Sequence, residues 1–242
     1  MTEHPRVTIL YPARSGGRFD FGYYVPNHLP LAVGTSLRHS AITYCDASRP
    51  ILPDSPYACI CTVGFESVEA MDNFRHFFAS GHAETARILS DEPNYTNITP
   101  LFVAGMTQGN AAPRPTHAAT AYRLQLIFPA TAKSQFNHGR FPQFANPVLL
   151  AKLGRGITGV HVETDSMTAG VLPDSRPDVH CIWTAWVPNR AALDTFAARW
   201  AGAAGTEART RLADITNVPA QAVFAEVSAL DMAQAQAIAA PA

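Results

Sequence analysis

Alternating apolar positions mark residues 7–11 as a strand, closed by Pro12 and a turn through Gly16 and Gly17. The period then lengthens. Asp20 can cap a helix that runs toward Leu37, and Pro26 and Pro30 each remove a backbone donor from it, so that helix is expected to bend or break. Further strands are read at residues 41–45 and 57–65, separated by a proline-rich loop at 48–56. Ser67 opens a second helix with apolar positions at Val68, Met71, Phe74, Phe78, Ile88 and Leu89, and residues 99–104 form the last strand of the series.

The series then recurs. Arg6 to Leu31 aligns with Arg123 to Val148, and Tyr57 to Arg87 aligns with Val179 to Arg209, with the matches in the same order along the chain. The loop Leu52-Pro53-Asp54-Ser55 returns as Leu172-Pro173-Asp174-Ser175. The reading is therefore a β-α-β-β-α-β unit of the ferredoxin-like kind over residues 1–107 and a linker rich in Ala, Pro, Gly and Thr at 108–120. A degenerate second unit follows at 121–231, then a frayed or disordered tail at 232–242. One face of each sheet is expected to be covered by helices. The other is read as apolar, so the two fused units are expected to bury those faces against each other.

The units differ in their polar groups. Asp20, Tyr24 and His28 become Asn137, Phe141 and Ala145, and Glu92-Pro93-Asn94-Tyr95 shortens to Ile215 between Asp91/Asp214 and Thr96/Thr216. The chief pocket is accordingly expected in the first unit beside His28, with the second filled by Phe141, Phe144 and Ala145.

Composition narrows the function classes. A net charge of −1, with 15% charged and 47% hydrophobic residues, suits a globular core and argues against nucleic acid as a partner. No apolar run is long enough to span a bilayer, so no membrane partner is expected. The four cysteines lack metal-type spacing and read as reduced core residues, which points to the cytoplasm.

The pattern Phe19-Asp20-x-x-Tyr23-Tyr24-x-x-x-His28-x-Pro30-Leu31, with the later Pro93-Asn94-Tyr95-Thr96, resembles the EthD family of dimeric α+β-barrel proteins. The resemblance covers the first unit throughout and the second by fold pattern only. It implies an α+β fold in which two ferredoxin-like units form an internal pseudo-dimeric barrel, with a homodimer of that pseudo-dimer left open. Relatives of this barrel type include monooxygenases, isomerases, cyclases, dehydratases and haem enzymes, so the fold alone does not give the reaction.

On a helix, Asp20, Tyr24 and His28 would stack along one side. His28 is the natural proton-transfer group near neutral pH, and Tyr24 and Tyr95 are the candidates to orient or polarise a substrate. The plainer reading makes His28 a brace for the bent helix. Asp20, Tyr23 and Tyr57 are candidate substrate-binding residues, with an N-cap role the competing account of Asp20. Arg14 and Arg18 read as loop charges with an anion-attracting alternative. His161 and His180 are expected on neighbouring strands and, with His138, form an open question. No motif supplies a metal site or a cofactor. The leading function is a small enzyme acting on an apolar carbonyl or phenolic metabolite by histidine-mediated proton transfer. The alternatives are a non-catalytic binding protein and a haem-binding barrel.

Overall fold

The computed structural model describes residues 4–109, 115–117, 119–170 and 176–240. Its strands are β1 (His4–Pro12), β2 (Ile42–Pro50), β3 (Tyr57–Phe65) and β4 (Leu101–Gly109) in the first half of the chain. The second half supplies β5 (Ala121–Pro129), β6 (His161–Gly170), β7 (Val179–Val187) and β8 (Gln221–Ala229). All pair antiparallel and close into one eight-stranded barrel in the order β1-β3-β2-β8-β5-β7-β6-β4. The halves meet at two hydrogen-bonded seams, β2 with β8 from Asp46↔Ala229 to Pro50↔Ala225, and β4 with β6 from Val103↔Gly170 to Gly109↔Glu163. The sheets thus join edge to edge, and closure removes the exposed edges that an open sheet would leave.

Side chains alternate across each strand. The outward set on β1 and β3 (Val7, Ile9, Tyr11, Cys59, Cys61, Val63) meets Leu29 and Val33 of α2 (Leu29–Ser36) and Met71 and Phe74 of α3 (Val68–Ala79). In the second half, Leu124, Leu126, Phe128 and Trp183 meet Phe141 and Leu149 of α5 (Phe141–Leu153), Leu193 and Phe196 of α6 (Arg190–Ala201) and Ala208 and Leu212 of α7 (Ala203–Leu212). Cys59 and Cys61 lie in this apolar layer, as expected from their alternation.

The inward faces correct the expectation of an apolar interior. Leu10, Ile60, Val103, Ile127, Ile182 and Val223 form an apolar cluster. Beside it the barrel buries Arg6, Asp46, Arg123, Glu163 and Asp165, each about 1–2% exposed. Arg6 lies 3.3 Å from Glu163 and 3.1 Å from Asp165, and Arg123 lies 2.9 Å from Asp46. Every one of these pairs links one half to the other. Burial works against the charge on Arg6, but Asp165, Tyr44 and Glu163 outweigh it and raise its pKa.

Several element boundaries also shift. The second strand runs on to Pro50, into the first three residues of the segment read as a loop, because β8 supplies a pairing partner that no local pattern shows. β4 extends to Gly109 against β6 for the same reason. The second helix divides into α3 and α4 (Ala83–Tyr95) at Gly81, whose φ of +66° suits a residue without a Cβ. Most of the tail is helical. Residues Met232–Ala239 form α8, which docks on α2 where Gly34 leaves room; a Cβ there would stand 2.7 Å from the Ala235 carbonyl. Residues 110–114 and 118 of the expected linker, and the repeated loop at 172–175, lie outside the described residues. No helix among the described residues is long and apolar enough to cross a membrane.

Replacing Arg6 by Ala strands two buried carboxylates. Urea denaturation should show a loss of about 3–5 kcal/mol, the usual cost of breaking a buried ion pair from one side. A loss below about 1 kcal/mol would mean that the pair does not hold the barrel closed.

Candidate active site

The segment after β1 is built around two local constraints. Asp20 caps α1 (Phe21–Tyr23), its carboxylate accepting from the Tyr23 backbone N–H at 3.0 Å. Pro26 then falls inside a π-helical turn, Tyr24–His28, closed by the Leu29 N–H bonding the Tyr24 carbonyl. This is the expected break: a proline without an N–H is tolerated where the ladder widens by one residue. The wider turn still brings Tyr24 and His28 together, their rings stacked with centroids 5.3 Å apart. Both are buried, whereas Asp20 stays exposed at the cap.

His28 sits in a chain of hydrogen bonds between α4 and β1. Its Nδ1 is 3.0 Å from Asp91 Oδ2, and its Nε2 is 3.2 Å from the Tyr95 hydroxyl. Tyr95 is 3.2 Å from the hydroxyl of Tyr11 on β1. On the other side, Tyr23 OH and Asn94 Nδ2 each donate to Asp91 Oδ1 at 2.8 Å. Burial pushes Asp91 up, but the bonds from Asn94, His28 and Tyr23 outweigh it and hold this carboxylate below its ordinary range. With Asp91 ionised, Nδ1 of His28 carries the proton and donates. Nε2 of the neutral ring therefore accepts from Tyr95. Burial lowers the pKa of His28 despite Asp91, and raises those of Tyr95 and Tyr11, so the resting chain is neutral beyond the carboxylate. Chemically, this is a base held in one tautomer, with phenol donors beside it.

The sequence candidates divide accordingly. His28, Tyr24 and Tyr95 are brought together, and Tyr23 joins them through Asp91. Tyr95 does not reach a pocket mouth as a free group: it is fully buried against His28 and Tyr11. Tyr57 lies apart, its hydroxyl donating to Gln221 Oε1 at 2.7 Å. Tyr57 and Asp20 instead line an open cleft of about 780 Å³ with Arg18, Arg49 and Leu52. Phe19 lines it too, and its ring also contacts Tyr11, Tyr24 and Tyr95. Arg14 and Arg18 bond the carbonyls of Asn97, Asn94 and Pro93, so they brace the loop. Three members of the network, Asp91, Asn94 and Tyr11, were not among the sequence candidates. Asp91 faces an acid in the repeat alignment and so gave no contrast, but Tyr11 aligns with Phe128, the same loss of a hydroxyl that marked Tyr24.

The second half keeps the frame without the chemistry. Phe128, Phe136 and Phe141 repeat the ring contacts of Tyr11, Phe19 and Tyr24, and the Asn137 N–H bonds Ile215 O as Asp20 N–H bonds Tyr95 O. The cavity beside His28 is, however, narrower than expected. It measures about 40 Å³ and is lined by Tyr11, Tyr24, His28, Cys61, Phe74 and Leu89 among others. A shallow recess of about 470 Å³ lies in the second half along residues 135–138 and 213–217. That recess does not lie at the place matching the His28 cavity, and the larger cleft of about 780 Å³ belongs to the first half, where tyrosine rings fill the space beside His28. His161 does not approach His180: β6–β7 register sets His161 opposite Trp186 and Ser166 opposite Cys181. His180 meets His138 instead, with ring centroids 5.6 Å apart, and bonds Ser134 at 2.6 Å. Haem does not fit at His28. Both ring nitrogens are engaged, and the adjoining space is far below the size of a cofactor pocket.

No protein-family model matches the sequence, and no curated protein matches it significantly. Among solved structures, an anthrone oxidase-like protein superposes with a TM-score of 0.58 at 13% identity, covering 93% of this chain and 91% of its own. A chlorite dismutase-like protein gives a TM-score of 0.51 at 11% identity, covering 99% and 98%. An EthD-like protein from Ralstonia eutropha JMP134 is 25% identical over 43% of this chain and 91% of its own, with a TM-score of 0.35. The first two neighbours share the fold of this chain over more than nine-tenths of its length.

The titration of His28 tests its environment. Its midpoint by NMR should lie below the ordinary 6.5, since burial outweighs Asp91. The unfolded chain then takes up this proton more readily than the folded one. The stability contributed by His28 is therefore complete above pH 6.5 and lost as the pH falls through 6.5 toward the folded midpoint. Asp91→Asn should lower the midpoint further; a rise would refute the role given to Asp91.

Proposed function

We propose that the chain is a tandem EthD-like barrel of two ferredoxin-like units, acting as a small enzyme on an apolar carbonyl or phenolic metabolite. The observation that carries this reading is the buried chain Asp91–His28–Tyr95–Tyr11 set against an apolar cavity. In the proposed step, an acidic C–H or O–H of the substrate gives its proton to Nε2 of His28. Nδ1–H stays on Asp91, which stabilises the imidazolium that forms. The Tyr95 hydroxyl, released from Nε2, turns to the oxygen on which negative charge develops, and Tyr24 holds the imidazole plane by stacking. The resulting enolate or phenolate is the common intermediate of isomerisation, cyclisation, dehydration and cofactor-independent oxygenation. Asp20 and Tyr57 bind substrate at the entrance cleft, with the Phe19 ring between that cleft and the tyrosines. Tyr23 acts through Asp91 as a positioning residue. A cytoplasmic setting and a possible pairing of two chains complete the proposal.

The narrow cavity favours a second reading. Its 40 Å³ falls well short of the roughly 300–1,000 Å³ of a usual ligand pocket, so the network would be a brace in a binding or accessory protein. The two readings differ in what His28→Ala does. The protein is incubated in D₂O with a panel of aromatic ketones and phenols, and deuterium uptake at the acidic position is followed by mass spectrometry. Catalysed exchange should fall by about 10²–10⁴-fold in His28→Ala, the usual yield of general acid–base catalysis, with the melting temperature nearly kept because Ala145 occupies the matching place. Tyr24→Phe should cost less, since Phe141 shows that the ring alone fits. Unchanged exchange together with a loss of several kcal/mol in stability would leave only the brace.

A further inference from the structure

Helices α2 and α4 are tied at both ends by a histidine–carboxylate contact. Near one end His28 meets Asp91. At the other, His39 follows α2 and meets Glu84 in the first turn of α4, Nε2 to Oε2, at 2.6 Å. The second contact has an addition that the first lacks. His82, the N-cap residue of α4, places its Nδ1 3.7 Å from the same Glu84 oxygen. One ligand atom from each of His39, His82 and Glu84 lies within 4.8 Å of the other two.

The surroundings fix these groups in place. His39 stacks on Phe77, with ring centroids 4.4 Å apart and planes 17° apart. Glu84 Oε1 accepts from Arg38 Nη1 at 2.7 Å, which leaves Oε2 directed at the two imidazoles. His82 is held by its place in the tight turn at Gly81, and its Nδ1 has only a long 3.3 Å contact with the Glu84 N–H to give up. Arg38 in turn donates to the carbonyls of Ile238 and Ala239, the last two residues of α8. Orientation of a ligating carboxylate by a partner on its free oxygen is the usual support of a metal centre.

We propose that His39, His82 and Glu84 form a site for a divalent, imidazole-preferring ion of the zinc class. Two imidazole nitrogens and one carboxylate oxygen suit zinc, and the half-exposed rim leaves a fourth position for water. Ligand atoms about 2.0–2.1 Å from a tetrahedral ion stand roughly 3.3 Å apart. The His39–Glu84 contact therefore has to open by less than about 1 Å, and His82 has to close from 3.7 Å on Glu84 and from within 4.8 Å on His39. A bound ion replaces the shared proton of that contact and clips the end of α2 to the start of α4. Through Arg38 it also steadies α8.

The test is zinc binding by the full-length protein after treatment with EDTA, measured by isothermal titration with zinc sulfate and by thermal melting. One equivalent should bind and raise the melting temperature. Glu84→Gln and His39→Asn should each weaken binding at least tenfold and abolish the thermal shift, while circular dichroism shows the fold retained. His138→Asn/His180→Asn, which removes the other close histidine pair, should bind as the wild type does. Absence of zinc binding by the wild type overturns the proposal. So does binding that persists in Glu84→Gln and His39→Asn, or that disappears in the His138/His180 variant. Should either single variant fail to fold, His82→Asn, at the most exposed ligand, gives the same reading.

Discussion

Two guanidinium groups inside the barrel bind its halves together. Arg6 and Arg123 lie on the first strand of their respective halves, and each finds its carboxylates on the opposite half. Neither charge can be left unpaired in a space of this kind without several kcal/mol of penalty. Closure is therefore close to all-or-none. A half-barrel would expose two strand edges and strand a buried arginine at the same time. Trp186 adds to this constraint, with its indole N–H 3.2 Å from Glu163 and its ring 5.0 Å from the Arg123 guanidinium carbon. The polar end of the interior fixes register, and the apolar end, with Leu10, Ile60 and Ile182, supplies burial.

Once the barrel is closed, its outward faces are free to differ. Both halves use the same aromatic frame between the first strand and the helix after it. In the second half the frame is all hydrocarbon: Phe128, Phe136, Phe141, Ala145 and Ile215. In the first, hydroxyls and an imidazole are inserted at Tyr11, Tyr24, His28 and Tyr95 without changing the ring contacts. Polar atoms in such a layer are costly unless each finds a partner. The bonds from Asp91 through His28 and Tyr95 to Tyr11 meet that requirement. They also give the imidazole one tautomer and a lowered pKa, the properties on which a base depends.

The halves also explain where the helices can be held. α4 carries Asp91 near its end and Glu84 near its start, so one helix sets both histidine contacts of the α2 region. α8 lies on α2 over Gly34, where no side chain obstructs it. The network at His28 is thus supported from two directions, by the barrel strand that carries Tyr11 and by the outer helices.

The succession of strands and the break at Pro26 were legible in the sequence, because they rest on local periodicity and on the chemistry of single residues. The grouping of His28, Tyr24 and Tyr95 was legible too, through the contrast between the two halves of the sequence: a hydroxyl or imidazole present at one position and missing at the aligned one needs no coordinates to be seen. Asp91 stayed hidden because both repeats carry an acid in that stretch, and only the packing of α4 shows which one meets a histidine. The charged interior, the extra length of β2 and β4 and the docking of α8 were likewise beyond local pattern. Each depends on a partner more than fifty residues away, and alternation along a strand gives which residues share a face but not what the facing side of the barrel will contain.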